Sequence, residues 1–160
     1  MLGIVHSAAG AWLSKAARSR REAILFGVLS HVVLDFLGHE EPFDDDGSPR
    51  LEVLLPDLGL TLTAIVWIAS RRGWRSLDSL GSVAAILPDA EHFISLSRGS
   101  HKKLFPSHRF ENLLHSKTRP KLSVKVQFLL GMLLWLLLPC GSGAAAARSA
   151  DADVVGAKLG

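Results

Sequence analysis

Apolar positions along this chain recur at helical spacing, and no stretch shows the strict alternation of a half-buried strand. Val5, Ala9, Trp12, Leu13 and Ala16 share one face of a helix predicted over His6–Ala17. A second helix is predicted from Arg20 to Leu37, with Gly38 as its stop. Glu40–Arg50 is acidic and punctuated by Gly and Pro, which predicts a loop. Leu51–Ser70 reads as a third helix ending in the cationic run Arg71-Arg72-Gly73-Trp74-Arg75. Leu77–Leu96 reads as two helical pieces broken at Pro88, because proline lacks the N–H and crowds the preceding turn. Arg98–Arg119 is polar and basic, and Leu122–Leu138 is the most hydrophobic run, stopping at Pro139. The Ala/Gly/Ser-rich remainder predicts disorder. The pattern as a whole is all-α: one helical domain over residues 1–139 and a tail over 140–160.

At 160 residues the chain is long enough for one domain with a real core. The net charge of +3 is unevenly spread, with basic clusters at Lys15–Arg21, Arg71–Arg75, Arg98–Lys103 and Lys117–Lys125, each beside an apolar stretch. Cations flanking apolar segments suit an anionic membrane surface. A nucleic-acid partner is not expected, since no basic patch is interleaved with aromatics. The composition therefore predicts a compact, membrane-associated bundle in the cell (inner) membrane, with lipid as a partner. Val126–Leu138 and Leu58–Ala69 are each shorter than the roughly 20 apolar residues of a spanning helix. The lone cysteine, Cys140, excludes an internal disulfide and a Cys-based zinc site. Met1–Gly10 does not read as a secretory signal.

Chemistry enters with the histidines. His31, Asp35 and His39 are spaced i, i+4, i+8 among apolar residues, so on one helix they stack along a single face. Imidazole and carboxylate at that spacing can converge on one divalent ion. Asp89 and His92, three apart after Pro88, form a second such pair, with Glu91 beside them as a general base or a plain surface acid. His108 and His115 lie two helical turns apart, His101 sits in an exposed basic turn, and His6 opens the first helix. Asp35, Asp57 and Asp89 all interrupt apolar runs. Burying such groups unpaired is costly, and a shared cation satisfies them together. The predicted central site thus has His6, His31, Asp35, His39, Asp89, His92 and His108 as metal ligands. A hydrogen-bonded His–Asp network without metal is the other reading of the same pattern.

The order His6, Ser-His31-x3-Asp35-x3-His39, Pro-Asp89-x2-His92, Phe-Pro-x-His108 resembles a group of small bacterial helical membrane proteins. These are similar in turn to the membrane-bound metal-dependent hydrolases, with their Gly-x3-His-x3-Asp and Leu-Pro-Asp-x-x-His motifs. More distantly, Gly27-x3-His31-x3-Asp35-x3-His39 resembles the zinc-binding helix of zinc-dependent phospholipase C. The motif order here departs from that of the better-known membrane-bound hydrolases. Their His-Arg-Gly-x-Thr-His-Ser signature survives only as an echo in His108-Arg109 and His115-Ser116. The resemblance implies phosphoester hydrolysis by a divalent metal, Zn²⁺ before Fe²⁺ or Mn²⁺. Asp57 or Glu91 would then orient a ligand or take the proton from water. Without catalysis, the same residues would make a structural metal site or a buried polar network.

Overall fold

In a computed structural model, described for residues 1–44, 48–98 and 121–138 (within 92–98 for the backbone alone), the apolar runs form five α-helices. These are α1 (Gly3–Leu13, continued by a 3-10 turn at Ser14–Ala16), α2 (Arg20–Asp35), α3 (Leu51–Arg72), α4 (Leu77–Arg98) and α5 (Val124–Leu136). Among the described residues there is no strand, only the isolated bridges His39–Leu122 and Phe43–Pro49. The tail predicted over 140–160 lies outside the described residues.

Each difference from the expected boundaries has a physical cause. α1 starts at Gly3, so His6 lies inside the helix and does not open it. Its first amides are satisfied from a distance: Asp57 on α3 accepts from Gly3 N at 2.8 Å and Ile4 N at 3.0 Å. No local residue signals that cap. α2 is capped by its own sequence, Ser19 Oγ accepting from Glu22 N while the Glu22 carboxylate accepts from Arg18 N. It ends at Asp35, so His39 is not on the helix. α4 corrects the expected break, running unbroken through Pro88. An interior proline costs a helix about 3 kcal/mol, and here Pro88 is fully buried, so tertiary packing holds what local preference would break.

The helices alternate in direction around α1, which touches all four others. Asp57 sets the start of α3 beside the start of α1. The far turns of α1, α3 and α5 meet where Ala11, Ile68 and Leu138 pack beside the Trp67–Trp135 pair. α2 and α4 run the other way: Ser14 Oγ donates to Ala23 O near the start of α2, and Arg72 pairs with Asp78 near the start of α4. A close seam joins α1, α2 and α4, for a Cβ built on Gly10 or Gly27 would overlap the Gly81 carbonyl oxygen.

α1 and α3 bury apolar faces that include Ile4, Val5, Val53, Ile65 and Ile68, whereas α2 and α5 turn leucines outward and small or polar residues inward. α2 buries Ala23, Gly27, Ser30, His31 and Asp35 and exposes Ile24, Leu25, Leu29 and Val33. α5 buries Gln127 and Gly131 while Val126, Leu129, Leu133 and Leu136 face outward. By length and composition α3 can cross a membrane, a test that the core helix of a soluble protein also passes.

Candidate metal centre

Among the described residues, the buried imidazoles gather where the start of α1, the end of α2 and the middle of α4 meet. The α2 spacing does what the sequence predicts: His31 and Asp35, one turn apart, point the same way, with His31 Nε2 2.9 Å from Asp35 Oδ2. α1 adds His6, whose ring stacks on His31 at a centroid separation of 4.1 Å, with Nε2 3.3 Å from Asp35 Oδ1. α4 adds Asp89, whose Oδ1 lies 3.9 Å from His31 Nε2.

His6, His31 and Asp89 each offer a ligand atom, and these atoms all lie within 4.8 Å of one another. The group can hold a metal ion. Its two imidazoles are fully buried, and Asp89, with its side chain 26% exposed, is the open member. Asp35 bridges both imidazoles, one carboxylate oxygen to each.

The ring of His31 is held in a ligand's tautomer. Its Nδ1 lies 2.9 Å from the Ala85 carbonyl oxygen, to which only an N–H can donate, and this turns Nε2 toward the two carboxylates. A neutral His31 then presents a bare lone pair to two acceptors, an arrangement that needs a positive charge between them. A proton on the ring supplies it, and so does a metal ion. His6 sharpens the choice: although the residue is fully buried, its Nδ1 has no hydrogen-bond partner among the described residues, and its Nε2 has only the 3.3 Å approach to Asp35 Oδ1. Native interiors rarely leave such atoms unsatisfied.

His39 lies nearby but off the helix. Its Nδ1 approaches Leu37 O at 2.7 Å and its Nε2 approaches the Met1 nitrogen at 2.5 Å, while that nitrogen lies 3.6 Å from Asp35 Oδ1. The structure thus ties His39 to the edge of the cluster through Met1 and does not place it in the three-residue group. Asp57 is engaged in capping α1 and accepts a long contact from Thr61 Oγ1. Glu91 is buried on α4. The side chain of His92 lies outside the described residues, as do His101, His108 and His115 altogether.

Sequence reasoning missed two supports. The Ala85 carbonyl carries no side-chain signal. Gln127 has one, being an amide inside the most apolar run. It accepts from Leu2 N at 3.0 Å and donates to the Glu40 and Leu122 carbonyls, tying α5 and the segment after α2 to the start of α1. Compared with family models, with curated proteins and with solved structures, the chain matches none.

Proposed function

We propose that this chain is a membrane-embedded metal-dependent hydrolase of phosphoesters, with Zn²⁺ as the ion of first choice. The observation that carries the reading is the stacked, fully buried pair His6–His31 aimed at Asp35 and Asp89, with His6 Nδ1 left without a hydrogen-bond partner among the described residues. Imidazole with carboxylate suits Zn²⁺, Fe²⁺ or Mn²⁺ better than Ca²⁺. His6, His31 and Asp89 would hold the ion, with Asp35 beside them as a further ligand or as the acceptor that orients them. A bound divalent ion supplies Lewis acidity toward a phosphoryl oxygen and toward water. Asp89, the open member, faces the side from which substrate and water arrive, and Glu91 two residues on is the candidate proton acceptor. Membrane embedding rests on the outward leucines of α2 and α5, whose inward faces carry small and polar residues, the arrangement that lipid favours.

The test is elemental analysis of detergent-purified protein beside an Asp89→Asn variant, followed by hydrolysis of bis(p-nitrophenyl) phosphate with and without chelator. Stoichiometric metal in the wild type, with affinity weakened by at least about 10–100-fold in the variant, is expected. Chelator should abolish turnover and Zn²⁺ restore it. A second reading is favoured by the depth of His6 and His31: a structural metal site without catalysis. It predicts metal without hydrolysis, and unfolding when metal is stripped. Metal-free protein would defeat both readings and leave an imidazolium–carboxylate network.

A further inference from the structure

Two of the five helices carry a proline in their interior, Pro56 in α3 and Pro88 in α4. Pro56 is exposed and Pro88 is fully buried. Proline is the least favourable residue in a helix interior, and alanine at a buried helical position carries no such cost. The surroundings of Pro88 supply a reason for it.

The turn that ends at Pro88 contains the backbone carbonyl that orients His31. With no N–H at Pro88, the Ala84 carbonyl loses its helical donor, and the proline ring crowds that same carbonyl, so the turn over residues 84–88 is pushed open. Ala85 lies inside this turn. Its carbonyl oxygen accepts from His31 Nδ1 at 2.9 Å, across the contact between α2 and α4. The two helices come close there because Gly27, one turn before His31, has no side chain: a Cβ on it would lie 2.9 Å from the Ala84 Cβ. Asp89 follows Pro88 directly, and its Oδ1 lies 3.9 Å from His31 Nε2. One stretch of α4 thus addresses both nitrogens of a single imidazole, a carbonyl to Nδ1 and a carboxylate to Nε2.

The two sides compete for the ring's proton. Nε2 also has Asp35 Oδ2 at 2.9 Å, and a carboxylate is a stronger acceptor than a backbone carbonyl. In a neutral His31 with no acceptor at Nδ1, the proton would sit on Nε2 and occupy the lone pair that a metal ion needs. The Ala85 carbonyl counters that preference when it is turned out of the helix toward α2, and a turn opened by proline gives it the freedom to do so.

We propose that Pro88 is a positioning residue for the metal centre: by opening the α4 turn it lets the Ala85 carbonyl hold the His31 proton on Nδ1, and so keeps Nε2 bare toward the ion. The proposal rests on the metal reading above and deepens it, assigning to Pro88 a role exerted through Ala85 and His31.

The experiment is ¹⁵N-histidine NMR with Zn²⁺ titration on the full chain in detergent, for the wild type, Pro88→Ala and Pro56→Ala. The His31 signals are those absent from His31→Gln. Alanine restores the N–H in either helix; at residue 88 the repaired turn carries the carbonyl that holds His31, and at residue 56 it lies on the exposed side of α3. Without metal, at alkaline pH where imidazole is neutral, wild-type His31 should carry its proton on Nδ1, and Pro88→Ala should move it to Nε2. Zn²⁺ affinity should fall at least about tenfold in Pro88→Ala, with no fall in melting temperature. Pro56→Ala should change neither tautomer nor affinity. An Nε2 proton in the wild type overturns the proposal, as does a Pro88→Ala chain that keeps the wild-type tautomer or the wild-type affinity, or an equal loss of affinity in Pro56→Ala. A Pro88→Ala chain that melts well below the wild type, or does not fold, overturns it too, since Pro88 then serves the core. If none of these chains binds Zn²⁺, the metal reading fails by itself, and the tautomer comparison still decides whether Pro88 orients the ring.

Discussion

His31 divides its ring between two tasks. Nδ1 is spent on the Ala85 carbonyl, and Nε2 faces Asp35 and Asp89. An Asp35→Asn substitution keeps the shape but removes the charge that both imidazoles face. It should cost about 1–3 kcal/mol of stability and most of the bound metal, read by thermal melting and elemental analysis of one preparation. Asp57→Ala should behave differently. It removes the cap of α1 and should cost about 0.5–2 kcal/mol while leaving metal content unchanged, since its carboxylate serves Gly3 and Ile4. Loss of metal on that substitution would return Asp57 to the site. The sequence makes the His31–Asp35 pair legible because one helical turn is a fixed length. It makes His6 and Asp89 legible only as polar interruptions, since their meeting depends on how three helices cross. That His39 is not on α2 is illegible, because the i+8 spacing continues past the point where the helix ends.

At the scale of elements, the seam of Gly10, Gly27 and Gly81 fixes how closely α4 approaches α1 and α2. A methyl at Gly81 would meet Ser14 Oγ and Gly10 O, and Gly81→Ala should destabilise by about 1–3 kcal/mol. Gly59, interior to α3 with nothing within 4 Å of an added Cβ, is the control, and Gly59→Ala should stabilise by about 0.5–1 kcal/mol. Equal effects in denaturation would show that the seam is looser than described. The five helices are legible from periodicity and from punctuation at Gly38, Arg71–Arg75 and Pro139. The continuity of α4 is not, because the rule that proline breaks helices speaks only of local cost. At Pro88 the missing N–H withdraws the partner of the Ala84 carbonyl and loosens that turn. The neighbouring Ala85 carbonyl is the one that holds His31.

For the whole molecule, the outward leucines of α2 and α5 predict behaviour in extraction. The chain should stay with the membrane pellet through an alkaline carbonate wash and leave it only with detergent, whereas release by carbonate would mark a peripheral protein. If a metal ion binds the folded chain at about 100 times its dissociation constant, removing it forfeits about 2.7 kcal/mol. Chelation should then lower the melting temperature by about 5–10 °C in detergent. No change on chelation would favour the imidazolium network. The overall bundle is legible in the sequence as a set of apolar segments. The closeness of its separated cations is not, because Lys15 and Arg72 become neighbours only once α1 and α3 lie side by side; burial and the Arg72 charge together push the Lys15 ammonium below its ordinary value.

The depth of His6 and His31, set against the partial opening at Asp89, bears on time as well as affinity. An ion held by two fully buried, stacked rings, in a scaffold whose glycine seam has no slack, would be screened from solvent on the imidazole side. Its residence should be long, hours in an isotope-exchange measurement, against the rapid turnover expected of a ligand set spread over a flexible surface. The cation captured when the helices first close would then be the one the protein keeps, so that supply during biosynthesis, more than competition afterwards, decides its identity.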